Sequence, residues 1–224
     1  MGYENTEEVS RIDFLYDNKV EQVFAKLDYA LRSGIHIQRD YPKPGELFRF
    51  IERNFDSLKL YYHELFRIIL SKEGNDFNHY FFIDFEEGSR GAIPTSARDY
   101  LDTEAILIGM LFFKLYRIDG NIELDTVDDF TSTLISEYDD EKEALFKLIV
   151  SSRSGNSSDF NEEKVIDLIK KAFDTFNHLG WIEWEDNKEK NRFKPLPSFE
   201  RLRTLYQSQI NNIDQLITQS KNAK

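Results

Sequence analysis

The chain has no cysteine. That excludes disulfide staples and thiolate metal sites, and it suits a reducing compartment, so the cytoplasm is the expected location. Long apolar runs are scarce as well. The longest, AILIGMLFF from Ala105 to Phe113, has Glu104 and Lys114 beside it and falls short of the roughly 18 residues that a spanning helix needs. It predicts a buried helix and no membrane association. The N-terminal MGYENTEEVS is polar and acidic, without the basic-then-apolar order of a secretory signal. Positive charge is in deficit: 29 Lys and Arg face 41 Asp and Glu, for a net charge of -12. Such a field repels free nucleic acid unless a local basic patch or a partner supplies the opposite sign. Glycine motifs of the P-loop or dinucleotide type are also missing, and no cofactor is expected.

What the chain does have is aromatic bulk. Its 224 residues include 19 Phe and 11 Tyr, and 40% are hydrophobic; a solvated, disordered chain carries far less. The length fits one domain or two small ones. Val20, Val23, Phe24, Leu27 and Leu31 recur at helical spacing, with Gly34 where a helix-ending glycine belongs. A second stripe, Leu47, Phe48, Ile51, Phe55 and Leu58, follows PKPG, where proline suits a helix start. The period then changes to two. LFRIILSKE and HYFFIDFEE flank the turn GNDFN, with Phe81, Ile83 and Phe85 on one face and Phe82 and Asp84 on the other.

The order of elements then recurs. After GSRGAIPTS, a linker by composition, a buried helix is predicted from about Asp99 to Tyr116, with helical patterns in TVDDFTSTLISEY and EKEALFKLIV. In NEEKVIDLIKKAFDTFNHLG, Val165, Leu168, Ile169, Ala172, Phe173, Phe176 and Leu179 form one stripe, with Asn161 as N-cap and Gly180 at the end. WIEWEDNKEKNRFKPL then alternates Ile182 and Trp184 with Glu183 and Glu185 and turns at DNKEKN. Helices followed by a hairpin, twice, predict a mainly α fold with small β-hairpins (α+β), arranged as tandem winged-helix domains. The divisions are residues 1–19 as an N-terminal segment, 20–90 as the first domain, 91–98 as linker, 99–197 as the second domain, and 198–224 as a C-terminal helix or tail.

Catalytic and metal readings find little support. His36 stands without clustered partners, which suits a packing role. His63 and His79 fall at opposite ends of the first hairpin and cannot share an ion. Asp84, Glu86 and Glu87 have no nucleophile or phosphate loop beside them and read as a solvated strand end. The expectation is a protein that is not an enzyme.

LDYALRSGIHI, from Leu27 to Ile37, resembles the opening signature of the MukE/MksE family, accessory subunits of bacterial MukBEF-type condensins. FIDFEEGSRGAIPTSARDYLDTEAILIGMLFFKLY is similar to that family's hairpin, Ile-Pro linker and long buried helix; LIVSSRSGNSSD resembles its Arg-Ser loop, and LGWIEW its Leu-Gly-aromatic approach to the second hairpin. The likeness runs from about Val20 to Arg203. It implies a non-enzymatic tandem winged-helix subunit, usually dimeric, that binds a kleisin of the MukF or MksF type and through it an SMC-like ATPase, located in the cytoplasm at the nucleoid. Organisation of the chromosome, plasmid defence alongside a nuclease partner, and a winged-helix transcription regulator are the roles open to such a chain.

Two sets of site residues follow. A winged helix offers its second-domain helix and hairpin tip to DNA, which selects Arg153, Lys170, Lys171, Lys188, Lys190 and Arg192 as DNA-contact candidates. The balance is poor: the segment 161–180 has three lysines against four acids, and Asp167–Lys171 and Lys170–Asp174 are spaced for surface ion pairs. The family's arginines in the last turns of this helix are replaced here by Asp174, Thr175, Asn177 and His178. DNA contact is therefore expected to be weak, or confined to the assembled complex. Aromatics in excess of what two small cores can hold should form interface patches, with Tyr61, Tyr62, Tyr80, Trp181 and Trp184 as partner-interface candidates. An edge strand could also extend a partner's sheet.

Overall fold

A computed structural model describes residues 10–86, 101–151, 162–186 and 188–222. The chain divides into two compact units, Met1–Asp99 and Tyr100–Lys224. Both are helical with small antiparallel sheets, so the fold is mainly α with minor β. The linker 91–98, Glu87, Arg153 and Asn161 lie outside the described residues.

In the first unit a 3-10 turn, Asp13–Tyr16, lowers Phe14 into the core. Helices α1 (Val20–Arg32) and α2 (Glu46–Phe66) close over it. The N–H of Phe14 donates to the buried Ser57 Oγ of α2 at 3.0 Å. Only one stripe of α1 is buried, Val23, Leu27, Ala30 and Leu31, as an apolar 3–4 spacing dictates. Helix α2 kinks at Asn54 (φ -117°, ψ 18°). Its side-chain amide donates to the Phe50 carbonyl one turn back at 3.0 Å and to Asp17 at 2.8 Å, so a side chain competes with the helical ladder where the axis bends.

Strands β1 (Ile37–Gln38), β2 (Ile69–Glu73) and β3 (Tyr80–Asp84) form a sheet in the order β1-β3-β2, all antiparallel. The hairpin register runs from Ile69 opposite Asp84 to Glu73 opposite Tyr80. The sequence predicts the hairpin but not β1, which pairs Ile37 with Phe81 and Gln38 with Tyr80. Phe82, on the face opposite Phe81, is buried as well. The reason is local: His36, placed by β1, stacks on the Phe82 ring at 5.4 Å and packs on Tyr80 at 5.8 Å, so this strand is covered on both faces. Gly74 makes the turn (φ +96°), and an added Cβ would lie 2.5 Å from the Asn78 carbonyl oxygen.

In the second unit, helix α3 (Thr103–Phe113) is the centre. It is apolar on every side and buried nearly throughout, as a helix surrounded by others must be. Helices α6 (Glu162–Leu179) and α7 (Arg201–Asn211) lie against it. Their close approach depends on Gly109, where a Cβ would come within 3.2 Å of the Phe176 ring and 3.3 Å of Leu202. Helices α4 (Val127–Glu137), α5 (Lys142–Ser151) and α8 (Ile213–Asn222) complete the bundle. The 3-10 turn Pro197–Glu200, α7 and α8 place Phe199, Leu202, Ile210, Ile213 and Ile217 in the same core as α3. The second hairpin is short: β4 (Ile182–Trp184) pairs with β5 (Phe193–Pro195) over three residues.

Candidate functional site

The second hairpin and its surroundings hold most of the residues singled out as contacts. Helix α6 ends at Leu179, and Gly180 (φ +75°) turns the chain so that the Trp181 N–H reaches the Phe176 carbonyl at 2.8 Å. That turn sends Trp181 and Trp184 inward. Trp181 lies 5.6 Å from the Phe176 ring, and Trp184 packs against Phe173 and Phe193 at 6.5 and 6.4 Å.

The aromatic interface candidates lie mostly inside the two units. Tyr62, Tyr80, Trp181 and Trp184 are all buried, and Tyr61 is half-buried. Tyr61 packs edge-on against Phe14 at 5.1 Å and Phe24 at 5.6 Å. Tyr62 donates its hydroxyl to Asp28 at 3.0 Å, and Tyr80 donates to Glu73 at 2.9 Å. These side chains build the cores because large rings fill small interiors efficiently. Among the described residues the aromatics most open to solvent are Tyr16, Tyr29 and Phe77, at 82%, 75% and 84% exposure. Two of the three were legible: Tyr29 lies off the Val23–Leu27–Leu31 stripe, and Phe77 sits inside the GNDFN turn.

Two buried phenols stand in parallel positions. Tyr62 on α2 donates to Asp28 of α1, and Tyr138, at the end of α4, donates to Asp214 of α8 at 2.6 Å. Burial first, and then the neighbouring aspartate, holds each phenol protonated well above its ordinary range.

Three of the basic candidates have carboxylate partners, though not the ones that helical spacing suggests. Lys171 pairs with Asp102 of the residue preceding α3 at 2.9 Å, and Lys190 pairs with Asp174 of α6 at 2.9 Å. Arg192 pairs with Asp125. The helical spacings Asp167–Lys171 and Lys170–Asp174 are not the pairs that form: Lys171 turns to Asp102, and Asp174 is taken by Lys190. Lys170 and Lys188 are exposed. A cleft of about 410 Å³ lies between α6, the start of α4 and the hairpin tip, lined by Lys170, Asp174, Trp184, Lys190, Asn191 and Asp128 among others.

The histidines stay apart. His63 Nε2 is 3.7 Å from Glu86, and His79 Nε2 is 3.3 Å from Glu52. Among the described residues no group of three His, Asp or Glu side chains could hold a metal ion, and no helix is long and apolar enough to cross a membrane.

No curated protein matches the chain. One family model does, described as condensin complex protein MksE, over residues 22–207. The matched span begins in α1 and ends in α7, taking in both hairpins, the buried helix α3 and the clefted surface beside α6. This chain therefore belongs to the family of the condensin complex protein MksE.

Proposed function

We propose that the protein is a non-catalytic accessory subunit of a bacterial SMC-type condensin that binds a kleisin of the MksF or MukF type. The observation that carries this reading is the family match over residues 22–207, which spans both units. In this reading the two units are tandem winged-helix domains with β2–β3 and β4–β5 as the wings. The subunit acts as a homodimer that stiffens the kleisin's central region, and through the kleisin it meets the SMC-like ATPase of the MksB or MukB type. ATP turnover elsewhere then organises or entraps DNA, and this chain works by architecture, in the cytoplasm at the nucleoid.

The charge supports a partner-dependent role. A chain of net charge -12, whose Lys171, Lys190 and Arg192 already meet carboxylates, is poorly suited to hold DNA alone. Co-expression with the kleisin encoded in the same genome tests the reading. The expected result is a stoichiometric complex whose mass, by light scattering, exceeds that of either component; separate elution of the two proteins at micromolar concentration would sink it.

A further inference from the structure

Lys190, Asn191 and Arg192 are consecutive at the tip of the second hairpin, and the side chain of each meets an aspartate. The Lys190 ammonium reaches Asp174 of α6 at 2.9 Å. Asn191 holds Asp128 at both ends: its side-chain amide donates to the carboxylate at 3.0 Å, and its side-chain oxygen accepts the Asp128 N–H at 3.2 Å. The Arg192 guanidinium donates to Asp125. The backbone N–H groups of Asn191 and Arg192 donate to the two oxygens of the Asp186 carboxylate, at 3.1 and 3.3 Å.

The backbone is shaped for this. Lys190 has φ +50°, a conformation that side chains other than glycine rarely adopt, and it lets adjacent N–H groups converge on one anion. Between the Thr126–Arg192 bridge and the Val127 N–H to Asn191 carbonyl bond at 2.9 Å, the return strand is also tied to the start of α4.

An ammonium, a guanidinium, a side-chain amide and paired backbone N–H groups form the donor set that recognises phosphate oxygens. Here carboxylates stand in their place. We propose that this tip is a latent binding surface for the phosphate backbone of duplex DNA, held shut by Asp125, Asp128 and Asp174. Asp186 shapes the tip, while the other three aspartates cover it. The covering pairs are solvent-accessible, with side-chain exposures of 53% and 47% for Lys190 and Asp174 and 54% and 44% for Arg192 and Asp125, so another anion can exchange for them. Lys170 lines the same cleft as Asp128 and Asp174 and joins the surface when the aspartates are displaced. The protein's net negative field makes that exchange unfavourable for free DNA and favourable where a complex already concentrates DNA at the tip. This masking goes beyond the kleisin reading and stands whether or not a kleisin binds.

The test is Asp125→Asn, Asp128→Asn and Asp174→Asn together in the full chain, with anisotropy of a labelled 30-base-pair duplex at low salt. The expected gain in affinity is about tenfold or more, and the slope of log K against log salt steepens by about two as Lys190 and Arg192 take up phosphates. A second variant, Glu137→Gln, Asp139→Asn and Glu143→Gln, changes the net charge equally at exposed positions of the same unit and is expected to gain less than about threefold. Adding Lys190→Ala and Arg192→Ala to the first variant should abolish its gain. A folded first variant that binds no tighter than the parent, or no tighter than the charge control, overturns the proposal. Should the triple variant fail to fold, Asp174→Asn alone frees Lys190 from an exposed pair; a gain of about threefold that Lys190→Ala removes supports the mask, and its absence overturns it.

Discussion

The first hairpin has five paired positions, a third strand along β3 and buried rings on both faces of that strand. The second has three paired positions, and its tip is tied by side chains to α4 and α6. In one case the ladder and the core hold the hairpin, leaving the tip residue Phe77 in solvent. In the other the ladder is too short to hold the eight-residue tip, 185–192, and polar ties replace it. Basic residues at a hairpin tip are therefore not by themselves evidence of a ligand, because carboxylates of the same chain can already hold them. The difference also shows that an exposed ring can be found where no ion pair is needed.

Core truncation should separate the two units most sharply. Phe173 is fully buried and touches the rings of Phe112, Phe130, Phe176, Trp184 and Phe193; Phe173→Ala should cost about 3–5 kcal/mol. Both tryptophans lie in the second unit, so urea titration followed by tryptophan emission reads that loss directly. Phe81→Ala removes a comparable contact from the first unit, and it should shift circular dichroism while leaving the emission midpoint in place. An emission midpoint that moves equally in both variants would mean that the two units unfold as one.

A smaller effect is expected at the first hairpin's turn. Gly74→Ala meets both the positive φ and the Asn78 carbonyl, and should cost about 1–3 kcal/mol; an unchanged circular-dichroism midpoint would show that this turn relaxes freely.

The two phenols allow a like-for-like comparison between units. Each has a folded pKa raised above the ordinary 10.0 by burial, and then by its aspartate. The unfolded chain therefore loses those protons first as pH rises. The stabilisation is complete below pH 10 and is lost progressively as pH climbs from there toward the folded values. Tyr62→Phe and Tyr138→Phe should each cost about 0.5–1.5 kcal/mol at pH 8 and flatten the alkaline decline, the second alone being visible in tryptophan emission. A decline of unchanged steepness in both variants would assign alkaline unfolding to other groups.

Least should follow from changes at the surface. Arg192→Ala breaks an exposed pair and should cost no more than about 1 kcal/mol, while Phe77→Ala should stay within about 0.5 kcal/mol. A larger loss at Arg192 would mean that the second hairpin depends on its clasp more than on Phe193 beneath it.

Much of the fold was legible. The stripes of α1, α2 and α6 follow from spacing alone, since a helix with one buried face must repeat its apolar residues every three or four positions. Strand alternation at Ile182 and Trp184 was legible for the same kind of reason, and both residues are buried. Strand β1 was not, because two residues carry no period and their pairing is decided by a distant part of the chain, Ile37 opposite Phe81 and Gln38 opposite Tyr80. The candidate site was legible only as a list of residue types. Arg153 falls outside the described residues, and the partners of Lys171 and Arg192 lie 69 and 67 positions distant, beyond any local spacing rule.

By itself, then, the sequence determined the class of molecule: acidic, free of cysteine, mainly helical with two hairpins, and in the MksE family. Burial patterns are written locally, one residue against its neighbours in a helix or strand, and so they can be read in order. Tertiary structure alone decided which aromatics are core and which are surface, and which aspartate each tip residue meets. Charge–charge and ring contacts depend on distance in space, and only folding brings Asp125, Asp128 and Asp174 to the residues they cover.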